Sequence, residues 1–195
     1  MPEQFQTPAG VATWGQPCGG NPCNYRILVA DSGNNRIQAF DAMGNFVTAY
    51  GSPGSGSGQF NNPQGLTVDG NGRVIVADNG NNRLQLLGFD GTHFSFIQSV
   101  TANLNGPTGI AAYGSNRIVV ADTGNNKVKV LDANGNLLAE NVVPNNGRSG
   151  IFNQPRGVIA DREGNIVVAD TGNRRVATIL NALPVWKIYL PLIYK

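Results

Sequence analysis

A chain of 195 residues with 41% hydrophobic content has room for one sizeable core, or at most two small ones. Charged residues are only 13% of the chain, and a formal net charge of +2 is too weak to grip nucleic acid or an acidic membrane by charge alone. No stretch approaches the roughly 20 apolar residues of a membrane-spanning helix. The opening MPEQFQTPAG lacks the basic and apolar segments of a secretory signal.

The elements repeat in chain order. Copy one opens at Pro8-Ala-Gly-Val and continues, after an insertion TWGQPCGGNPCNYR at 13–26, into VADSGNNRIQAFD at 29–41 and FVTAYG. Copy two runs from Pro63-Gln-Gly-Leu through VADNGNNRLQLLGFD at 76–90 to HFSFIQSV. Copy three runs from Pro107-Thr-Gly-Ile through VADTGNNKVKVLD at 120–132 to LLAENVV. Copy four runs from Pro155-Arg-Gly-Val through VADTGNRRVATIL at 168–180 to WKIYLPLI. An apolar residue precedes each Pro by three positions, at Phe5, Phe60, Leu104 and Phe152. The Asp of each copy falls at 31, 78, 122 and 170, about 45 residues apart, which is the length of four short strands. Period-2 apolar runs bounded by Gly and Asn predict strands and tight turns throughout, with no long helix.

The string Phe-x-x-Pro-x-Gly-(Ile/Leu/Val) followed by Val-Ala-Asp-Thr-Gly-Asn-Asn-Arg resembles the NHL repeat, a β-propeller family. The resemblance spans essentially the whole chain and implies an all-β propeller of four-stranded antiparallel blades. The blades fall at about 3–51, 58–100, 102–143 and 150–195 of a single domain. Copy three departs through Lys127 where the family favours Arg, and copy four through Arg174 where it favours Asn. Family propellers most often have six blades, so four copies leave open whether the ring closes alone, lacks blades or joins another chain. As given, the chain starts on a first strand and ends on a fourth, leaving no spare strand for interlocking closure.

Each Asp-x-Gly-Asn-Asn-Arg turn places an acid and a base across a hairpin, which predicts structural pairs Asp31–Arg36, Asp78–Arg83, Asp122–Lys127 and Asp170–Arg175. The same disc face carries Arg148, Arg156 and Arg174 as a candidate binding surface, and the two faces carry small net charges of opposite sign. Catalysis is not expected. The resemblance brings in zinc-dependent peptide-processing lyases and calcium lactonases, but the one histidine, His93, and the three glutamates, Glu3, Glu140 and Glu163, supply neither ligand set. No metal or cofactor is expected. Cys18 and Cys23 read as a local disulfide in preference to a zinc pair, which favours an oxidising, extracellular setting.

The tail 182–195 is the most apolar segment. Trp186, Ile188, Leu190 and Leu192 alternate with Lys187, Tyr189 and Pro191, giving an outer strand that either covers its own blade or adds to a neighbouring subunit. The leading expectation is a non-catalytic, exported binding or structural propeller that engages protein, copies of itself included. Alternatives are a ligand-sensing domain and an RNA-binding propeller. The second is disfavoured because Asp offsets the basic residues and no aromatic interleaves with them.

Overall fold

The computed structural model describes residues 4–15, 24–114, 117–140 and 152–180. Blade one consists of β1 (Pro8–Trp14), β2 (Arg26–Asp31), β3 (Arg36–Asp41) and β4 (Phe46–Tyr50), antiparallel and in chain order. A short parallel pair, β5 (Ser52–Pro53) and β6 (Gln59–Phe60), brackets the Gly/Ser-rich connection to the next blade. Blade two is β7 (Pro63–Val68), β8 (Val74–Asp78), β9 (Arg83–Phe89) and β10 (Phe94–Val100). Blade three is β11 (Pro107–Tyr113), β12 (Arg117–Asp122), β13 (Lys127–Asp132) and β14 (Leu137–Glu140). In blade four the described strands are β15 (Pro155–Ala160), β16 (Ile166–Asp170) and β17 (Arg175–Ile179). The fourth strand expected at 186–193 lies outside the described residues. The fold is an all-β, four-blade propeller.

The repeated words of the sequence each do one mechanical job. Pro-x-Gly places a register shift at the start of the first strand in all four blades. The chain reverses between the second and third strands through a single 3-10 turn, closed by a residue in the left-handed region at Asn35, Asn82, Asn126 and Arg174. Asn tolerates that conformation better than other non-glycine residues. At the opposite end of the blades, Asp41, Asp132 and Asp161 each cap a turn in which a Gly at positive φ precedes an Asn. Gly44, Gly135 and Gly164 adopt φ of 85°, 87° and 85°, which only Gly takes up freely.

The core is not central but lies in the seams between blades. One cluster joins Leu28, Ala30, Ile37 and Ala39 of blade one to Phe60, Leu66, Val74, Val76 and Leu87. A second joins Ile75, Ala77, Leu84 and Leu86 of blade two to Leu104, Ile110, Ile118 and Val120. A third joins blade three to Phe152, Val158, Ile166 and Val168 of blade four. Residues along the inner strands alternate between the two sides of a blade, so each blade has a forward and a backward apolar face. The first strands pack in the sequence β1–β7–β11–β15, and among the described residues no comparable seam joins β15 back to β1.

Candidate functional site

The most repeated polar arrangement is built around the buried aspartate that ends each second strand. Asp31, Asp78, Asp122 and Asp170 are all fully enclosed. One oxygen of each accepts the backbone N–H that follows the apolar anchor, from Gln6, Asn61, Asn105 and Asn153, at 2.7–2.8 Å. The other accepts the side-chain amide of the turn residue three positions on, from Asn34, Asn81, Asn125 and Asn173. Each carboxylate thus pins the loop entering its own blade to the turn leaving its second strand.

The cation that neutralises each carboxylate differs between blades. Arg36, Arg83 and Arg175 donate Nε to Asp31, Asp78 and Asp170 at 2.8, 2.7 and 2.7 Å. Arg83 also uses the rest of its fork, donating to the carbonyls of Ser55, Gly56 and Gln59 and so tying down the Gly/Ser-rich connection. Lys127 departs from the expected pairing. It sits opposite Asp122 in the strand register, yet its ammonium lies 3.3 Å from Glu140. Lys129, two residues on and on the same side of β13, supplies the charge instead, with Nζ 2.7 Å from Asp122 and donating to the carbonyls of Ala102 and Asn103. The physical reason is the difference in head group. Arg presents a lateral Nε beside the carboxylate while its terminal nitrogens reach the loop, whereas Lys has a single terminal charge that reaches Asp122 from the inner position.

The corresponding inner position holds Gln38 and Gln85 in blades one and two, both donating to their aspartates, and Ala177 in blade four. The electrostatics follow. Burial pushes the carboxyls of Asp31 and Asp170 upward and is the largest single influence. The backbone N–H, the Asn amide and the Arg together outweigh it, holding both groups below the ordinary value of 3.8. At the other end of the blades the Asn45, Asn136 and Asn165 amides lower Asp41, Asp132 and Asp161. These carboxylates are engaged by the chain's own donors. An Asp-x-x-Gly-Asn spacing, present three times, was the available signal for this second set of turns.

Of the proposed binding residues, Arg156 and Arg174 are exposed at the turn-bearing end of blade four. Arg148, Cys18, Cys23 and the expected assembly residues Trp186, Ile188, Tyr189, Leu190 and Leu192 lie outside the described residues. Among the described residues, no three of His, Cys, Asp or Glu gather as a metal-ligand set, and no helix is long and apolar enough to cross a membrane.

The geometry agrees with the sequence families. The NHL repeat matches residues 60–85, 104–131 and 152–178, which are copies two, three and four. The chain is an NHL-repeat β-propeller. No curated protein matches it. Among solved structures, a catalytically inactive virginiamycin B lyase from Staphylococcus aureus with quinupristin is 19% identical with a TM-score of 0.61, over 88% of this chain and 51% of that one. A streptogramin B lyase is 18% identical with a TM-score of 0.60, over 89% and 54%. An auxiliary nutrient binding protein from Bacteroides ovatus ATCC 8483 is 13% identical with a TM-score of 0.64, over 89% and 48%. These likenesses are of fold, and this NHL propeller spans about half the length of the structures it matches.

Proposed function

We propose that this NHL propeller is a non-catalytic binding and scaffolding domain, working outside the cell, whose partners are proteins, copies of itself included. The observation that carries the reading is the pair of uncovered apolar faces at the two ends of the blade array. Val11 on blade one and Val176 on blade four are 67% and 68% exposed, although the repeat buries their counterparts at the internal seams, and Ile159 beside them on blade four is 66% exposed. Exposed apolar surface of this kind marks a protein contact. The turn-face acids support the reading from the other side, because their oxygens are occupied in holding the blades together. The apolar segment around Trp186 adds a second candidate contact, and Cys18 with Cys23 supports the extracellular setting.

A solvatochromic dye that fluoresces on apolar surface tests the reading. Dilute, folded protein is expected to bind it, and Val11→Asp combined with Val176→Asp to lower the signal while the circular dichroism spectrum is unchanged. Absence of dye binding by dilute protein would remove the exposed faces and the reading with them. Ligand sensing is the second reading, favoured by the likeness to a nutrient binding protein and by the exposed Arg156 and Arg174.

A further inference from the structure

The three seams inside the array are built alike, and the two ends of the array carry the two halves of a fourth. On the forward side, Ile37, Leu84 and Val128 are fully buried against the next blade, while their counterpart Val176 is exposed. On the backward side, Leu66, Ile110 and Val158 are buried against the preceding blade, while their counterpart Val11 is exposed. Phe5 repeats the contrast against buried Phe60, Leu104 and Phe152.

Glycine carries the sharper signal. A Cβ on Gly10, Gly65 or Gly109 would collide with the backbone carbonyl of Gln64, Thr108 or Arg156 in the following blade. Those three positions need Gly so that neighbouring first strands can approach. Gly157 occupies the same place in blade four, yet a Cβ there would meet only Ala169 of its own blade, at 3.4 Å. Blade four keeps the Gly without, among the described residues, a following blade that would impose it.

The hydrogen bonds across the seams say the same. Ser32 Oγ donates to the Pro63 carbonyl, Asn79 Nδ2 to that of Pro107 and Thr123 Oγ1 to that of Pro155. Thr171 keeps the donor in blade four, where its hydroxyl reaches the carbonyl of Ala169 in its own blade at 3.4 Å. A second bond runs from the backbone N–H of Asn62, Gly106 and Gln154 to the Oδ1 of Asn35, Asn82 and Asn126. Here the fourth copy has Arg174, which cannot accept.

From this we infer that the forward face of blade four receives the backward face of blade one from a second copy of the chain, and reciprocally, so that two chains close one eight-blade ring. In all three internal seams the occupant of a forward face is the backward face of this repeat, and the chain carries such a face uncovered. Among the described residues no seam comparable to the internal three joins β15 to β1. A head-to-tail contact made twice about a two-fold axis closes, and eight blades lie within the range of known propellers. Arg174 leaves the inter-chain seam one hydrogen bond poorer than the internal three, so it is the seam at which the ring comes apart.

This inference rests on the protein-contact reading above, and the two fail separately: a monomer that still binds the dye would leave the first standing and remove the second. Light scattering on the full chain across the micromolar range is expected to give twice 20.6 kDa. Gly157→Val is expected to keep the spectrum of the folded protein and give a single chain's mass. Val11→Asp and Val176→Asp are each expected to be monomeric, and an equimolar mixture of the two to form a dimer through its one intact seam. Arg174→Asn is expected to tighten association about 30-fold, the worth of two restored hydrogen bonds, one at each of the two inter-chain seams. A wild-type monomer at all concentrations, a dimeric Gly157→Val, or a mixture that stays monomeric overturns the inference. Open-ended oligomers overturn the two-chain ring.

Discussion

Lys129 and Asp122 form an ion pair at 2.7 Å in which both side chains are enclosed, 2% and 0% exposed. Their blade has thus moved its neutralising cation from the turn to the strand interior. Removing the charge from such a pair leaves a buried carboxylate uncompensated. Lys129→Met is expected to destabilise the domain by about 3 kcal/mol in urea titrations. Lys127→Ala touches a half-exposed pair with Glu140 and is expected to lose less than about 1 kcal/mol. Lys127→Arg with Lys129→Gln rebuilds the arrangement of Asp31 with Arg36 and Gln38 and is expected to recover most of the loss. Equal losses from the two single variants would show that Lys127 shares the burden.

The lowered carboxyls of Asp31 and Asp170 make stability pH-dependent in one direction. Each releases its proton more readily folded than unfolded, so its contribution is fully present above the ordinary value of 3.8 and is lost as pH falls through the lower folded value. The urea midpoint is expected to be flat from neutral pH to about 5 and to fall steeply below about 4, where the unfolded chain binds more protons. Asp170→Asn should lower the midpoint at neutral pH and flatten the acid limb. A midpoint that rises on acidification would contradict the networks around these residues.

The blade count, the described strands and three of the four turn pairs were legible because each rests on a local pattern repeated along the chain. Period-2 burial and the Asn at positive φ need no knowledge of distant residues. Lys129 was hidden because KVKVLD offers two lysines on one side of a strand, and local spacing does not say which of them meets a buried acid. The signal lay in the self-alignment, where Gln38 and Gln85 occupy the same position. The uncovered faces were illegible for a different reason. Val11 and Val176 look like any other seam residue, and only the arrangement of the array shows which seams lack a partner.

Cys18 and Cys23 are the only two cysteines, separated by Gly-Gly-Asn-Pro within the copy-one insertion. Protein isolated without reductant is expected to show no titratable thiol under denaturing conditions, and two after reduction. Two free thiols at the outset would withdraw the argument for an oxidising compartment, and stoichiometric zinc would revive a metal-binding reading of the pair.

The Pro-x-Gly glycines allow the seam geometry to be tested within one folded chain. At Gly65 an added methyl would be driven into the backbone carbonyl of Thr108, and at Gly109 into that of Arg156; neither oxygen belongs to a flexible side chain that could swing away. Blade two would have to separate from blade three in the first case, loosening the cluster that holds Leu84, Ile110 and Val120, and blade three from blade four in the second, loosening the one that holds Val128 and Val158. Gly65→Ala and Gly109→Ala are each expected to destabilise the domain by about 2 kcal/mol. At Gly157 the added methyl meets only the Ala169 Cβ, at ordinary contact distance, and no positive φ stands in its way. There the reduced freedom of the unfolded strand acts alone, so Gly157→Ala is expected to leave stability unchanged or raise it by about 0.5 kcal/mol in dilute protein. The measurement is chemical unfolding of all three variants at a concentration where the chain is monomeric. Three equal losses would mean that Gly157 already faces a blade within the same chain, and that the array is closed without a partner.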